Sequence, residues 1–327
     1  MDCQFTTSES WTILSPIELS IKRKIEAVGT PLKDWDIHIN YGIKTGCNEA
    51  FIINAGKRQE ILNNCRDDEE RRRTDELIRP ILRGRDIKRY GYDWANLYLI
   101  ATFPSRHYDI EQYPAVKKHF LTFDRGRLIE AGREDLLSEQ KLNQFCKGRL
   151  EQTGRDILVD GEKIIIGGKV QKSRKQTGNK WFETQDQIGY WDDFSLPKII
   201  YPNMTKYMPF VYDSLNFTTN QKCFIITGRH VAYLTAFFNS SLFKYCFRDN
   251  FPELQGGTRE LSKIFFDKIP VPDVDEETNI RFEHAVTEIQ EGKCRQLDKE
   301  KLIDGWIFDL YGLSEVERRQ IGFYEII

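Results

Sequence analysis

Ser15-Pro16 is followed by IELSIKRKIEAVG, where apolar Ile17, Leu19, Ile21, Ile25 and Val28 recur at helical spacing. A capping serine, proline at the first helical position and Gly29 as a stop predict a first helix. From Asp36 to Asn54 the pattern changes to alternation. Ile37, Ile39 and Tyr41 alternate, a glycine-containing turn follows, and Phe51, Ile52 and Ile53 resume the apolar run, as in a strand-loop-strand unit. Thr74 to Ile81 is short and apolar-periodic, and LYLIATF (Leu97 to Phe103) is an uninterrupted apolar run of strand length. Helical spacing returns in Tyr113 to Phe123 and in Arg133 to Leu150. Thr153 to Gly178 mixes one short apolar strand, IIIGG, with lysines and glycines.

After Pro197, three strand-like pieces follow: KIIYP (Lys198 to Pro202), PFVYD (Pro209 to Asp213) and CFIITG (Cys223 to Gly228). Val231 to Phe251 has helical spacing that Asn239 and Ser240 divide, and from Asp273 onward the pattern is helical, broken at Gly312. The expected fold class is α+β: a mixed β-sheet lobe with flanking helices, then a small C-terminal helical part. Pro270, Pro272 and the acidic DVDEE mark a boundary, dividing the chain into 1–270 and 271–327.

With 40% hydrophobic and 13% aromatic residues over 327 positions, the composition is globular and excludes a disordered chain. The formal net charge of −2 demands no nucleic-acid partner, so any such partner must be read from how charge is distributed. Cys3, Cys47, Cys65, Cys146, Cys223, Cys246 and Cys294 are an odd, scattered set without zinc spacing, as in a reducing compartment. The start MDCQFTTSES lacks the pattern of a signal peptide, and no stretch approaches the roughly 18 apolar residues of a membrane span. A cytoplasmic protein without a membrane partner is expected.

Several chemistries lack their motifs. No GxxxxGK[ST] or GxGxxG loop is present to cradle a phosphate, and no GxSxG elbow to present a serine. The chain has no Pro-Pro, so it lacks the Asn-Pro-Pro-Tyr loop of an amino-methyltransferase acting on a flipped base. Asp273 with Glu291 and Lys293 matches the spacing of a Mg-dependent nuclease, but the acids border a segment of helical period that reads as a solvated face.

Three segments carry candidate binding chemistry. Arg71 to Tyr90 holds Arg71, Arg72, Arg73, Arg79, Arg83, Arg85, Lys88 and Arg89 against three acids, and arginine forks suit phosphate oxygens and guanine edges. Lys163 to Lys180 has Lys163, Lys169, Lys172, Arg174, Lys175 and Lys180 without an acid, and Trp181 and Phe182 follow directly. In YGIKTGCNEAF (Tyr41 to Phe51), Gly42 and Gly46 permit a tight turn, while Lys44, Thr45, Asn48 and Glu49 supply polar groups. Each segment alone also reads as an ordinary surface: an ion-paired helix, a solvated loop or a structural turn.

The order of motifs carries more than any one of them. YGIKTGCNEAF, LIRPILRGRDIKRY, TGNKWFETQDQIGYWDDFSLPKIIYPNM, a Phe-Phe-Asn-Ser-Ser-Leu-Phe helix, KIPVP and LIDGWIFDLYGLSEVERRQI follow one another. In this order the chain resembles the TaqI-like C-terminal specificity domain of type IIG and related adenine-N6 DNA methyltransferases. The resemblance implies a non-catalytic lobe that reads duplex DNA, mainly in the major groove, beside a methyltransferase domain that precedes it and ends near a segment like Trp11 to Pro16. That partner binds S-adenosylmethionine and flips the base, so the chain itself needs no cofactor or metal. By position, the resemblance places Lys44, Thr45 and Asn48, then Arg83, Arg85, Lys88 and Arg89, then Lys169, Lys172, Arg174, Lys175, Lys180, Trp181, Glu183 and Gln185 at DNA. Two alternatives stand beside it: the Mg-dependent nuclease, and an assembly subunit docking through Trp306, Ile307, Phe308, Leu310 and Tyr311.

Overall fold

The computed structural model describes residues 14–323, so Cys3 and the Trp11 end of the Trp11 to Pro16 segment lie outside the described residues. The described chain forms two compact units. One comprises the described residues up to 37, residues 205–208 and those from 232 onward; the other comprises residues 38–204 and 209–231. Pro270 and Pro272 lie within the first unit.

The first unit is mainly helical. Its opening helix, Pro16–Val28, is fixed by a reciprocal capping box: the Glu18 N–H donates to Ser15 Oγ (3.3 Å) and the Ser15 N–H to the Glu18 carboxylate (2.7 Å). It buries Ile21 and Ile25 and packs on Glu315–Ile321. Val231–Asn239 and Ser241–Phe247 are separate helices, divided where the sequence pattern divides them. Ser240 Oγ accepts from the Phe243 N–H to cap the second, and buried Asp304 accepts from the Ser241 N–H at 2.9 Å. Around them Phe237, Phe238, Phe243, Phe251 and Phe266 form an aromatic core with edge-on and tilted rings.

Helices Glu276–Gln290 and Gln296–Leu310 close this unit. Ile307, Phe308 and Tyr311 are core residues, and Trp306 lies edge-on to Phe282 beneath the Arg281 guanidinium. These aromatics therefore form an internal face rather than a free docking surface. No described helix is long and apolar enough to cross a membrane.

The second unit holds two four-stranded sheets and confirms the α+β expectation. In one, the strand order is Val211–Asp213, Lys198–Pro202, Cys223–Gly228 and Ile37–Tyr41, with Ile200 opposite both Val211 and Ile225. Every residue of Lys198–Pro202 is buried, which is why its sequence is apolar without alternation. Its one cation, Lys198, lies 2.6 Å from Asp213. In the other sheet the order is Thr218–Thr219, Ile78–Leu82, Leu97–Ile100 and Ile52–Asn54. The first pair is parallel and the others antiparallel, so this sheet is mixed.

Several elements are shorter or more divided than the pattern predicts: Pro209 to Asp213 is a strand only over Val211–Asp213, and Phe51 closes the short helix Asn48–Phe51 before the strand Ile52–Asn54 begins. The run Leu97 to Phe103 pairs as a strand only over Leu97–Ile100. Beyond it, the Thr102 carbonyl accepts from the Thr184 N–H and Thr102 Oγ donates to the Phe182 carbonyl, so the chain turns to a loop instead of a strand partner. Thr74 to Ile81 is split between the helix Asp68–Leu77 and the strand Ile78–Leu82. Arg133 to Leu150 is a short turn, Glu134–Leu136, and then the helix Glu139–Leu150. That helix and Arg125–Glu130 share a small separate core of Leu128, Leu136, Leu142, Phe145, Cys146, Ile157, Val159 and Ile164. Two tight hairpins complete it: Leu158–Val159 with Glu162–Lys163, and Ile165–Ile166 with Lys169–Val170.

The Glu317 carboxylate ties the first and last helices of its unit, accepting from Lys24 Nζ (2.6 Å) and Ser20 Oγ (2.7 Å). Burial works against its charge, but bonds from Lys24, Ser314 and Ser20 outweigh it and hold its pKa at about 2, below the usual 4.5. A depressed carboxylate pKa contributes stability that is complete above the unfolded value and lost as pH falls through the folded one. The melting temperature should therefore fall between pH 4.5 and 2 more steeply in the native protein than in Glu317→Gln. Parallel profiles would refute the linkage.

Candidate nucleic-acid interface

Two of the three candidate segments, the Gly turn and the basic Lys163 to Lys180 run with its KWFETQ continuation, meet at one side chain. Arg174 is buried, and all five guanidinium N–H groups are used. Nε and Nη2 donate to the Leu150 carbonyl (2.8 and 2.5 Å), Nη1 to the carbonyls of Thr45 and Glu183 (both 2.8 Å), and Nη2 to that of Trp181 (2.7 Å). An arginine has five donors in a rigid fork, so no other side chain could hold these carbonyls together. Its charge faces the Phe51 ring at 5.2 Å. Burial pulls its pKa down to about 10, against the opposing influence of Cys47 and Glu183.

The Gly turn is built around that side chain. Gly46 has φ +77°, and a Cβ there would lie 2.9 Å from Arg174 Cδ and 3.0 Å from Gln185 Oε1. Gly42 passes so close to the next loop that a Cβ would stand 2.1 Å from the Asn220 carbonyl oxygen. Thr45 is buried, with Oγ1 donating to Asn48 Oδ1 at 2.7 Å. The Lys44 carbonyl accepts from the N–H groups of Gln185 and Asp186, which joins the turn to the KWFETQ loop.

That loop is held from within. Gln152 Nε2 donates to the carbonyls of Lys180 and Glu183, Asn179 Nδ2 to those of Thr184 and Gln185, and the buried Glu183 carboxylate accepts from the Lys180 N–H at 2.7 Å. Trp181 is half-buried, edge-on to Phe120 and Phe182. Burial raises the Asp186 carboxyl while the nearby Lys44 ammonium lowers it, and burial prevails.

The arginine-rich segment divides in two. Arg72 and Arg73 lie on the helix Asp68–Leu77, paired with Glu76 (2.8 Å) and Glu69 (3.0 Å), so this half is the ion-paired solvated helix of the plainer reading. Arg83 to Arg89 follow the strand Ile78–Leu82. Backbone bonds run from the end of that strand to the Gly turn: the Asn220 N–H donates to the Leu82 carbonyl, the Ile43 N–H to Thr219, and the Gln221 N–H to Ile43. With the Lys44 to Gln185 bond, Leu82, Asn220, Ile43 and Gln185 form one hydrogen-bonded series within one unit.

The candidate side chains fall into different environments. Arg174, Thr45 and Glu183 are interior, and the expectation that they face a ligand is corrected: their polar atoms are consumed in building the loops. Arg83 is mostly enclosed in a two-pronged pair with Asp86 (2.8 and 3.0 Å), and Lys88 lies 3.5 Å from Asp93. Arg89 is half-buried above the Tyr90 ring, and Lys180 lies over Phe182 with its ammonium 3.4 Å from the Tyr108 carbonyl. Arg85, Lys169, Lys172 and Lys175 are exposed and Lys44 half-exposed; among the described residues none lies within 4 Å of a carboxylate, although Lys172 faces Asp156 across an isolated bridge and Lys44 is near Asp186. Asn48 is exposed and Gln185 half-exposed.

One loop was not selected by the sequence reading. Asn220 to Lys222 bridges the Gly turn and the arginine segment, with Gln221 and Lys222 exposed. Its only signal was a polar run ahead of a strand. Asp273 and Glu291 flank opposite ends of the helix Glu276–Gln290, about 22 Å of axis apart, so they cannot share an ion. Glu291 is paired instead with Lys293 at 2.5 Å. Among the described residues no group of three or more His, Cys, Asp or Glu could hold a metal.

The TaqI-like C-terminal specificity domain family matches residues 79–271, more than half of the chain. A search of curated proteins finds no significant match. Among solved structures, the type IIL restriction-modification enzyme MmeI in complex with DNA superposes with a TM-score of 0.49 at 10% identity, over 89% of this chain and 35% of that one. The type IIG restriction endonuclease BpuSI gives 0.45 at 13% identity, over 91% and 33%. The chain thus spans about a third of the length of each enzyme.

Replacing Arg174 tests the fork directly. Arg174→Ala leaves the Leu150, Thr45 and Trp181 carbonyls without a donor, while Glu183 keeps its bond from Gln152, and should cost about 4 kcal/mol of stability in urea unfolding. Arg174→Lys, with three donors, should recover only part of this. A lysine variant as stable as the native protein would show that the five bonds are not a unit.

Proposed function

Because the chain belongs to the TaqI-like C-terminal specificity domain family, we propose that it reads the target sequence of duplex DNA for a type II, IIG-like, adenine-N6 methyltransferase. In this reading it has no turnover of its own and acts in the cytoplasm. A methyltransferase domain or subunit, N-terminal to it in the parent enzyme, binds S-adenosylmethionine and flips the adenine; the present chain supplies the opposing lobe.

One observation supports this reading above the others. Five cations that lie more than 4 Å from any described carboxylate, Lys44, Arg85, Lys169, Lys172 and Lys175, sit on segments far apart in sequence that belong to one hydrogen-bonded assembly. An unpaired surface cation can neutralise a phosphate directly, and the counterions released from the DNA by this exchange drive association. Gln185, Asn48 and the exposed Arg85 supply the bidentate chemistry that distinguishes adenine and guanine edges. The half-buried Trp181 offers an aromatic edge beside them.

Near-neutral net charge and a share of the phosphate contacts limit a lone lobe to weak, salt-sensitive binding. In fluorescence anisotropy with duplex DNA, Arg85→Ala/Lys172→Ala/Lys175→Ala should flatten the plot of log affinity against log salt by about 0.9 for each phosphate no longer neutralised. Joined to the methyltransferase half of its parent enzyme, the chain should restore methylation at one asymmetric site, and the triple variant should reduce it. Methylation unaffected by all three substitutions would reject the proposal.

A further inference from the structure

The hairpin Ile165–Ile166 with Lys169–Val170 supplies no carbonyl to the Arg174 fork, yet it is built to be presented. Gly167 and Gly168, at φ +57° and +73°, form its two-residue turn, the geometry that keeps the natural twist of a two-stranded ribbon. Ile164 just before it is buried in the small separate core, which anchors the base. Outward, Ile165 and Val170 stand directly opposite one another and are 51% and 40% exposed. The neighbouring hairpin repeats the pattern, with exposed Leu158 opposite Lys163. Single exposed apolar side chains are ordinary, but a β-branched cross-strand pair left open on one face of a short ribbon, one pair back from its turn, is a surface waiting for a partner.

Charge indicates which partner. From Lys163 to Phe182 the chain has no acid; among the described residues Lys169 and Lys175 carry no ion partner, and Lys172 faces Asp156, whose carboxylate is bound by Lys163. Of the nearby acids, Asp156 is paired with Lys163 (2.9 Å) and Asp160 lies 3.7 Å from Lys141, while Glu162 stands beside the other turn. An apolar ribbon face flanked by exposed lysines complements a polyanion with apolar groups recessed between its charges. The major groove fits: it is about 12 Å wide, admits a two-stranded ribbon, and displays thymine 5-methyl groups between rows of phosphates.

We propose that this hairpin enters the major groove of duplex DNA, with Ile165 and Val170 against thymine 5-methyl groups and Lys169 and Lys172 on the flanking phosphates. The inference rests on the reading of the chain as a DNA specificity domain, and adds to it an apolar recognition element at two residues with no polar chemistry.

The probe is a short duplex enriched from a random-sequence pool by capture on the full chain at low salt, prepared once with thymine and once with deoxyuridine. Removing the methyl groups should weaken binding about fourfold for each methyl covered, the effect of losing one methyl-sized apolar group. In Ile165→Ala/Val170→Ala the two duplexes should bind alike. Ile165→Val/Val170→Ile, which preserves the apolar pair, should keep the difference. Both positions face solvent, and unchanged circular dichroism and melting temperature verify the fold of each variant. Equal binding of the two duplexes by the unaltered chain, or methyl sensitivity that survives in the alanine pair, overturns the inference while DNA reading stands. Loss of a dimer of the chain in the alanine pair, with methyl sensitivity unaltered, assigns the ribbon face to self-association and also overturns it. Failure to enrich any duplex sinks the specificity-domain reading and this inference together.

Discussion

The second unit depends on one buried guanidinium. Loops that leave a sheet and return carry carbonyls without strand partners, and each such group enclosed without a donor costs on the order of 1–3 kcal/mol. Arg174 satisfies four such carbonyls from a single planar fork, drawing together the end of the helix Glu139–Leu150, the Gly turn and the KWFETQ loop. Its depressed pKa reflects the burial this requires, and the Phe51 ring beneath it returns part of the cost. The glycine at position 46 follows from the same constraint, because the Arg174 side chain occupies the space of a Cβ.

This arrangement separates two roles that look identical in a list of basic residues. Arg174 and Arg83 are committed inward or to a neighbour, and Arg72 and Arg73 are neutralised along their own helix. Among the candidate cations, those more than 4 Å from any described carboxylate lie on loops and hairpins around the framework: Lys44, Arg85, Lys169, Lys172 and Lys175. A chain of net charge −2 can thus present local positive charge without a basic composition. A rigid framework also suits recognition, since loops held by buried hydrogen bonds lose less freedom on binding than loops held by none.

Much of the fold was legible because its signals are local. The Ser15-Pro16 start, the break at Asn239 and Ser240 and the buried strand Lys198–Pro202 follow from capping, helix spacing and a continuous apolar run. The candidate segments were legible too, through glycine placement and runs of charge. Boundaries set by tertiary hydrogen bonds were not: Thr102 leaves its strand because Phe182 and Thr184 claim its polar groups, about eighty residues away. The loop Asn220 to Lys222 escaped notice for the same reason, since its importance lies in bridging Leu82 and Ile43.

By itself, the sequence determined the α+β class, the ordered motifs that mark the family and which segments are basic, because each depends on the spacing or type of residues within a short window. Only the tertiary structure decided which cations are free. Whether an arginine meets solvent or four carbonyls depends on the company its backbone keeps in space, and Leu150, Thr45, Glu183 and Trp181 are brought around Arg174 by folding alone. The grouping of the first helix with the last obeys the same rule: Lys24 and Glu317 lie at opposite ends of the chain and 2.6 Å apart. No pattern along the chain encodes a contact that exists only once both partners are in place.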